Sequence, residues 1–308
     1  MFTRAIFPAF RPRPEHRPTG TRPTSPHVRL RWLGTAGHVL ETPGATILID
    51  PFLTRTSLTR TAALPLEPTP EHWWSWLPTR IDAVVLGHSH YDHLLDAPTI
   101  ALRTGARIIG SRSTARFARA AGVADAQIVE VPPDGGAVTV GDCTVRLVPS
   151  LHGRVALGRV PFPGDVEPAP RLPARAHEYR MGGAFGIHVT TPGPSVYHNG
   201  SADLIDVRLE GLHADVLLVG LAGRRATERY LGRLTSLLSP SVVVPTHHDA
   251  FFAPLEAGAR LLPGIDLDGF FGEVARVAPH TRLVTPTYDD VCAIPLAGDA
   301  RDLTIHLR

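Results

Sequence analysis

Lysine is missing from the 308-residue chain: all 31 basic residues are arginine, set against 29 acidic ones. Such a bias is what a GC-rich coding sequence produces. The formal net charge of +2 is small and the arginines are dispersed. No cationic tract is present for a polyanion to grip, which argues against nucleic-acid binding. Cysteine is almost absent too. Cys143 and Cys292 lie far apart and form no C-x-x-C pair, which removes both a disulfide framework and a thiolate metal site and fits a reducing cytoplasm. No run of residues approaches the ~20 apolar positions of a membrane span. The N-terminal stretch lacks the apolar core of a secretory leader, so a cytoplasmic location is expected. Nothing in the sequence bears on oligomeric state.

What is present reads as a folded globular chain, 43% hydrophobic and 19% charged, long enough for one large domain or two ordinary ones. Residues 1–27, rich in Pro, Arg and Thr, are expected to form an irregular arm, with Phe7 and Phe10 tucked onto the body. From Val28 to the C-terminus at 308 one domain is expected. Short apolar runs alternate there with turn residues, and "VRLRWL" (28–33), "HVLE" (38–41) and "TILID" (46–50) read as consecutive strands. The continuous β-branched run "DAVVLG" (82–87) predicts a strand buried on both faces. A helix is expected from Asp92 to Leu102, with Asp92 capping its start. Further strands at "CTVRLVPS" (143–150), "AFGIHVT" (184–190), "SVYHN" (195–199), "DVLLVG" (215–220) and "SVVVPTHH" (241–248) alternate with helical stretches. Two β-sheets packed together with helices outside are the expected α/β architecture. Two long irregular segments, 52–80 and 153–179, interrupt this pattern, and loops of such length are commonly functional.

The densest chemistry lies in "LGHSHYDHLL" (86–95), where His88, His90, Asp92 and His93 fall within six positions. With 16 histidines in the chain, H-x-H-x-D-H would arise by chance in roughly one of several hundred such sequences. At the carboxyl end of a strand, His88 and His90 project to one side because extended chain alternates with period two. Two neutral imidazoles so placed can clasp one metal ion. Asp92 and His93 fall where the chain turns into a helix, so they point elsewhere and suit a second ion. Nitrogen-plus-carboxylate sets of this kind favour zinc, with an open position for catalysis. A hexapeptide cannot complete two sites. His152, Asp203 and the His247–His248 pair each follow an apolar strand, and so offer the remaining ligands from the same edge.

This set of motifs, "TILIDP" (46–51), "HSHYDH" (88–93), "PSLHG" (149–153), "NGSAD" (199–203) and "PTHHD" (245–249), resembles the metallo-β-lactamase superfamily over roughly residues 28–290. The "PTHHD" ending is most similar to the branch containing L-ascorbate-6-phosphate lactonase. The resemblance implies an αββα four-layer sandwich of two mixed sheets, with a dinuclear site between them. It implies that His88, His90 and His152 hold one metal and that Asp92, His93 and His247 hold the other, with Asp203 bridging. Asp50 matches an aspartate that steadies the first motif from behind. The family's bridging aspartate directly follows a glycine, whereas "GSAD" inserts two residues, so strict register puts Ser201 in that place and a bulged turn restores Asp203. The P-x-H spacing selects His247 over His248, leaving His248 as a neighbour of the ligands or a substrate contact.

The function so implied is metal-dependent hydrolysis of an ester-type bond (lactone, carboxylic ester or phosphodiester) in a small molecule. Two divalent ions, zinc foremost with manganese or iron as alternatives, would supply a bridging hydroxide, and Asp92 would orient it or return a proton. A mononuclear iron dioxygenase of the same fold is the rival enzyme, and a metal-stabilised binding module the non-catalytic one. Trp73, Trp74 and Trp76 offer an apolar wall over the metals, or else pin their loop to the body. Arg224 offers a contact for a phosphate or carboxylate, or else a solvated helix start.

Overall fold

The computed structural model describes residues 7–21, 23–155 and 158–308. Residues 1–6 and 22 of the expected arm, and 156–157 of the second long segment, lie outside the described residues. The chain opens with β1 (His27–Gly34), β2 (Gly37–Glu41) and β3 (Thr46–Ile49), an antiparallel meander. After a short β4 (Pro65–Leu66) come β5 (Ala83–Val85), β6 (Arg107–Gly110) and β7 (Ile128–Glu130), which continue from β3 in parallel. The second sheet begins with β8 (Gly136–Val140) and β9 (Cys143–Ser150). A two-residue β10 (Ala174–Arg175) precedes β11 (Ala184–Thr190) and β12 (Val196–Asn199). Then β13 (Val216–Gly220), β14 (Val242–Thr246) and β15 (Arg282–Leu283) run parallel to β12. Finally β16 (Asp290–Pro295) and β17 (Thr304–Leu307) return to the first sheet beside β1.

Two mixed sheets result, of eight strands (β17-β16-β1-β2-β3-β5-β6-β7) and seven (β15-β14-β13-β12-β11-β9-β8). Period-two alternation sends neighbouring side chains to opposite faces, and the core divides accordingly. Ile47, Ile49, Val85, Ile109, Leu218 and Val244 meet in the layer between the sheets. Their neighbours Leu48, Val84, Ile108, Leu217 and Val243 face outward, where Ile100, Phe117, Leu231, Leu234 and Phe270 from helices cover them. Strands buried on both faces explain the near-continuous Val/Ile/Leu runs. The expected four-layer sandwich is therefore the observed one.

Several local expectations change. The helix expected over 92–102 is two pieces, Tyr91–Leu94 and Ala97–Thr104, and Asp92 lies inside the first turn rather than capping it. Asp96, at the break, accepts from the Leu53 and Thr54 amides and the Thr54 hydroxyl, tying the helix start to the chain after β3. The two long segments are joined to each other by a ribbon pairing β4 with β10. In the arm, Phe7 and Phe10 are buried as expected, and Arg17 forms an ion pair with the buried Asp290. Among the described residues no helix is long and apolar enough to cross a membrane.

The core also holds neutral histidines. Burial drives the His38 imidazole well below its ordinary value of 6.5 and pushes His198 and His248 down to about 4. The unfolded chain takes up protons on these groups as pH falls through 6.5, whereas in the native state His198 and His248 take them up only near 4 and His38 stays neutral well below its ordinary value. Stability from this source is full above 6.5 and drains away as pH falls towards 4. The urea midpoint is expected to be clearly lower at pH 5 than at pH 7.5; an unchanged midpoint would show that these rings are not buried neutral.

Candidate metal centre

The site is assembled where both sheets deliver the carboxyl ends of their parallel strands. Beyond β5 the chain bends at Gly87 and runs on through His88 to His90, whose backbone is extended. It is held by the Gly87 amide donating to Asp50 Oδ1 at 2.7 Å and the Ser89 amide donating to the Met181 carbonyl at 2.9 Å. Alternation then puts both rings on one side, 4.6 Å apart by centroid. His152 follows β9 and bridges to Ala202, and its ring lies 4.8 Å from His88 and 4.9 Å from His90. The next turn, Tyr91–Leu94, swings Asp92 and His93 towards His247, which directly follows β14.

Two sets capable of holding an ion emerge: His88, His90 and His152, and Asp92, His93 and His247. Within each, one ligand atom per residue lies within 4.8 Å of the others. The sets are neighbours, since the His88 and His93 rings are 3.8 Å apart. The donor chemistry fits a metal. His88 Nε2 is buried with no hydrogen-bond partner, which a coordinate bond would satisfy. His90 donates Nε2–H to the Pro161 carbonyl at 2.9 Å and His152 donates Nδ1–H to the Gly153 carbonyl at 2.7 Å. Each pairing fixes the ring and leaves the other nitrogen free, the usual support for a ligating histidine.

Electrostatics agree. Burial, reinforced by His93 and His90, holds the His88 imidazole well below 6.5. Burial pushes His90 to about 4, against the opposing pull of Asp92, and His152 to about 3. All three are neutral, lone-pair-bearing rings near pH 7. Burial alone would raise the Asp92 carboxyl; its bond to His247 and the proximity of His93 outweigh that and hold it below the usual range. Burial would lower His93, but Asp50, 2.9 Å from its Nδ1, prevails and raises it.

Backbone strain collects around this centre. Thr35, Asp50, Ala202 and His247 all adopt left-handed φ values of 43° to 57°, uncommon for residues other than glycine. The turn at His247 is held by its amide donating to the Thr35 carbonyl at 2.7 Å. Thr35 in turn is anchored by Asp249, which also pairs with the buried Arg55. Gly200 permits close approach, since a Cβ there would stand 2.7 Å from the His198 ring and 3.3 Å from Asp50.

The structure bears on four of the expected site positions. Asp203 joins neither set: left-handed Ala202 turns the chain, and the Asp203 carboxylate accepts from the Leu204 amide at 2.8 Å instead. Ser201 is the residue that lines the pocket, its hydroxyl donating to the Leu151 carbonyl. His248 is clamped between Trp32 and Phe10, with ring centroids 4.5 and 4.9 Å away, as a packing residue. The tryptophans pin their loop rather than wall the metals: Trp73 donates to Thr54, Trp74 lies under Arg103, and Trp76 donates to Glu256. Arg224 is engaged by Glu273 and the Phe270 ring. Asp203→Ala is accordingly expected to keep the full metal complement by elemental analysis; loss of one equivalent would restore it as a bridge.

The pocket over both sets has a volume of about 240 Å³, walled by Tyr91, Val155, Phe162, Phe251 and Leu262. Sequence reading missed these residues. Single apolar residues in loops carry no periodicity, and only the proximity of Tyr91 to the histidine motif hinted at one of them.

Comparison with known proteins agrees with the geometry. A profile described as the β-lactamase superfamily domain matches residues 29–247. A UPF0173 metal-dependent hydrolase of Pyrobaculum arsenaticum is 30% identical over 230 residues, covering 73% of this chain and 85% of the relative. Another from Methanopyrus kandleri is 28% identical over 233 residues, covering 74% and 87%. Igni18, a metallo hydrolase of Ignicoccus hospitalis, shares the fold with a TM-score of 0.56 at 20% identity, over 92% of this chain and 99% of its own.

Proposed function

This chain belongs to the β-lactamase superfamily, and from that premise we propose that it is a dinuclear, metal-dependent hydrolase of ester-type bonds in small molecules. The observation that carries the reading is the pair of adjacent three-residue sets, His88/His90/His152 and Asp92/His93/His247, opening on one pocket. Five imidazoles and one carboxylate suit zinc, with manganese or iron as alternatives, and three protein ligands per ion leave a position open. Bound there, the ions would supply an activated water and an electrophile for the carbonyl or phosphoryl oxygen.

The chain's own residues do the rest. Asp92, hydrogen-bonded to His247, holds its proton acceptor at the boundary of the two sets and can carry a proton to the leaving group. Asp50 fixes the His93 ring by its contact with Nδ1. Phe162, Phe251 and Tyr91 exclude water from the reacting bond and favour an uncharged group beside it. A panel of lactones, carboxylic esters and phosphodiesters, assayed with zinc-, manganese- and iron-loaded protein, tests the proposal. Hydrolysis of at least one class that disappears on chelation and returns with metal is expected. Oxygen consumption by a one-iron form without hydrolysis would replace the reading with a dioxygenase.

A further inference from the structure

The metal pocket, at about 240 Å³, falls short of the ~300–1,000 Å³ typical of small-molecule sites. It accommodates a reacting group and little more, so a substrate must extend beyond it. A larger cleft of about 570 Å³ abuts it along Val155, Ala222 and Leu262, which line both. The charges of this cleft are uneven. Arg224 pairs with Glu273 and Arg225 with Asp266. Arg154, two residues beyond His152, also lines the cleft and is exposed. Among the described residues it has no ion pair and no side-chain hydrogen bond.

Its position is fixed on two sides. The Gly153 amide donates to the Ser201 carbonyl at 2.6 Å. On the other flank Gly223, at φ 90°, packs so closely that a Cβ would stand 2.9 Å from Val155 and 3.1 Å from the Arg154 carbonyl. The uncommitted cation is thus tied to a metal-binding histidine by a short, anchored segment. A guanidinium free of internal partners recognises carboxylate or phosphate through paired N–H donors.

We propose that this cleft is the subsite for an anionic terminus of the substrate, with Arg154 as its recognising residue. The inference rests on the hydrolase reading above. It narrows the substrate class to compact esters whose reacting bond lies among apolar walls and whose other end carries a carboxylate or phosphate.

The test compares 4-nitrophenyl butyrate with the 4-nitrophenyl monoester of glutarate and a phosphate-terminated analogue, using the zinc-loaded full chain. Wild-type protein is expected to prefer an anionic tail, and R154Q to cut that preference roughly tenfold or more, mainly through KM, with R154K retaining part of it. The stronger of the two tails identifies the anion. Equal losses on neutral and anionic esters, or no preference in the wild type, would overturn the subsite. Calorimetry with glutarate and propyl phosphate separates the two claims. If no ester is turned over, the hydrolase reading fails on those esters. Tenfold weaker probe binding to R154Q would then still support the subsite, and equal binding would overturn it.

Discussion

His152→Ala is expected to leave the protein with one equivalent of metal per chain instead of two, and to lower turnover on the order of 10³-fold. The residue lies on the loop after β9 and is only partly buried, so its removal leaves the sheets intact and the loss reports on the site. Its Nδ1 is committed to the Gly153 carbonyl, and its other nitrogen completes the set with His88 and His90. Two imidazoles alone hold a divalent ion poorly. An ion that polarises the reacting oxygen is worth several kcal/mol of barrier, and each 1.36 kcal/mol is tenfold in rate. Elemental analysis and steady-state kinetics on one preparation measure both effects. Retention of two equivalents with unchanged turnover would remove His152 from the site.

Asp50→Ala is expected to have the largest effect on stability, about 3–5 kcal/mol, the range for breaking a buried charged pair. The carboxylate is 1% exposed and accepts from the Gly87 amide while lying 2.9 Å from His93 Nδ1 and 3.8 Å from His198 Nδ1. Alanine would leave the Gly87 amide and the His93 ring unpaired in a dry environment. It would also sit at φ 43°, which aspartate tolerates better. Zinc affinity is expected to fall 10- to 100-fold, as for other groups that orient a ligating histidine. Asp50→Asn, which retains an acceptor for Gly87, should lose less stability while still weakening zinc binding. Urea unfolding and competition with a chromophoric chelator read the two quantities. A fully stable Asp50→Ala with native zinc affinity would show that Asp50 does not brace the site.

Much of this was legible because the information is local. H-x-H-x-D-H needs only a strand end and a turn to place its four side chains. The runs at β5, β9, β11 and β14 announce buried strands by their own composition. His152 and His247 could be placed because each follows such a run directly. Asp203 failed for a reason no pattern discloses. Whether it or Ser201 faces the pocket depends on the left-handed turn at Ala202, which also forms an isolated antiparallel bridge with His152, fifty residues earlier in the chain. The tryptophans stayed open similarly, since an aromatic cluster in a long loop reads alike whether it walls a pocket or anchors on Thr54, Arg103 and Glu256. β16 and β17 escaped notice because β16 pairs with β1 at the far end of the chain and β17 pairs only with β16. The helix break at Asp96 reflects contacts with Leu53 and Thr54 over forty residues away.

Two adjacent three-residue sets are proposed to hold two ions. Metal quantification on purified, zinc-reconstituted wild-type protein, with His152→Ala and His247→Ala alongside, tests it most directly. Two equivalents of zinc are expected in the wild type and one in each variant. A single equivalent in the wild type, or two retained in both variants, would contradict it.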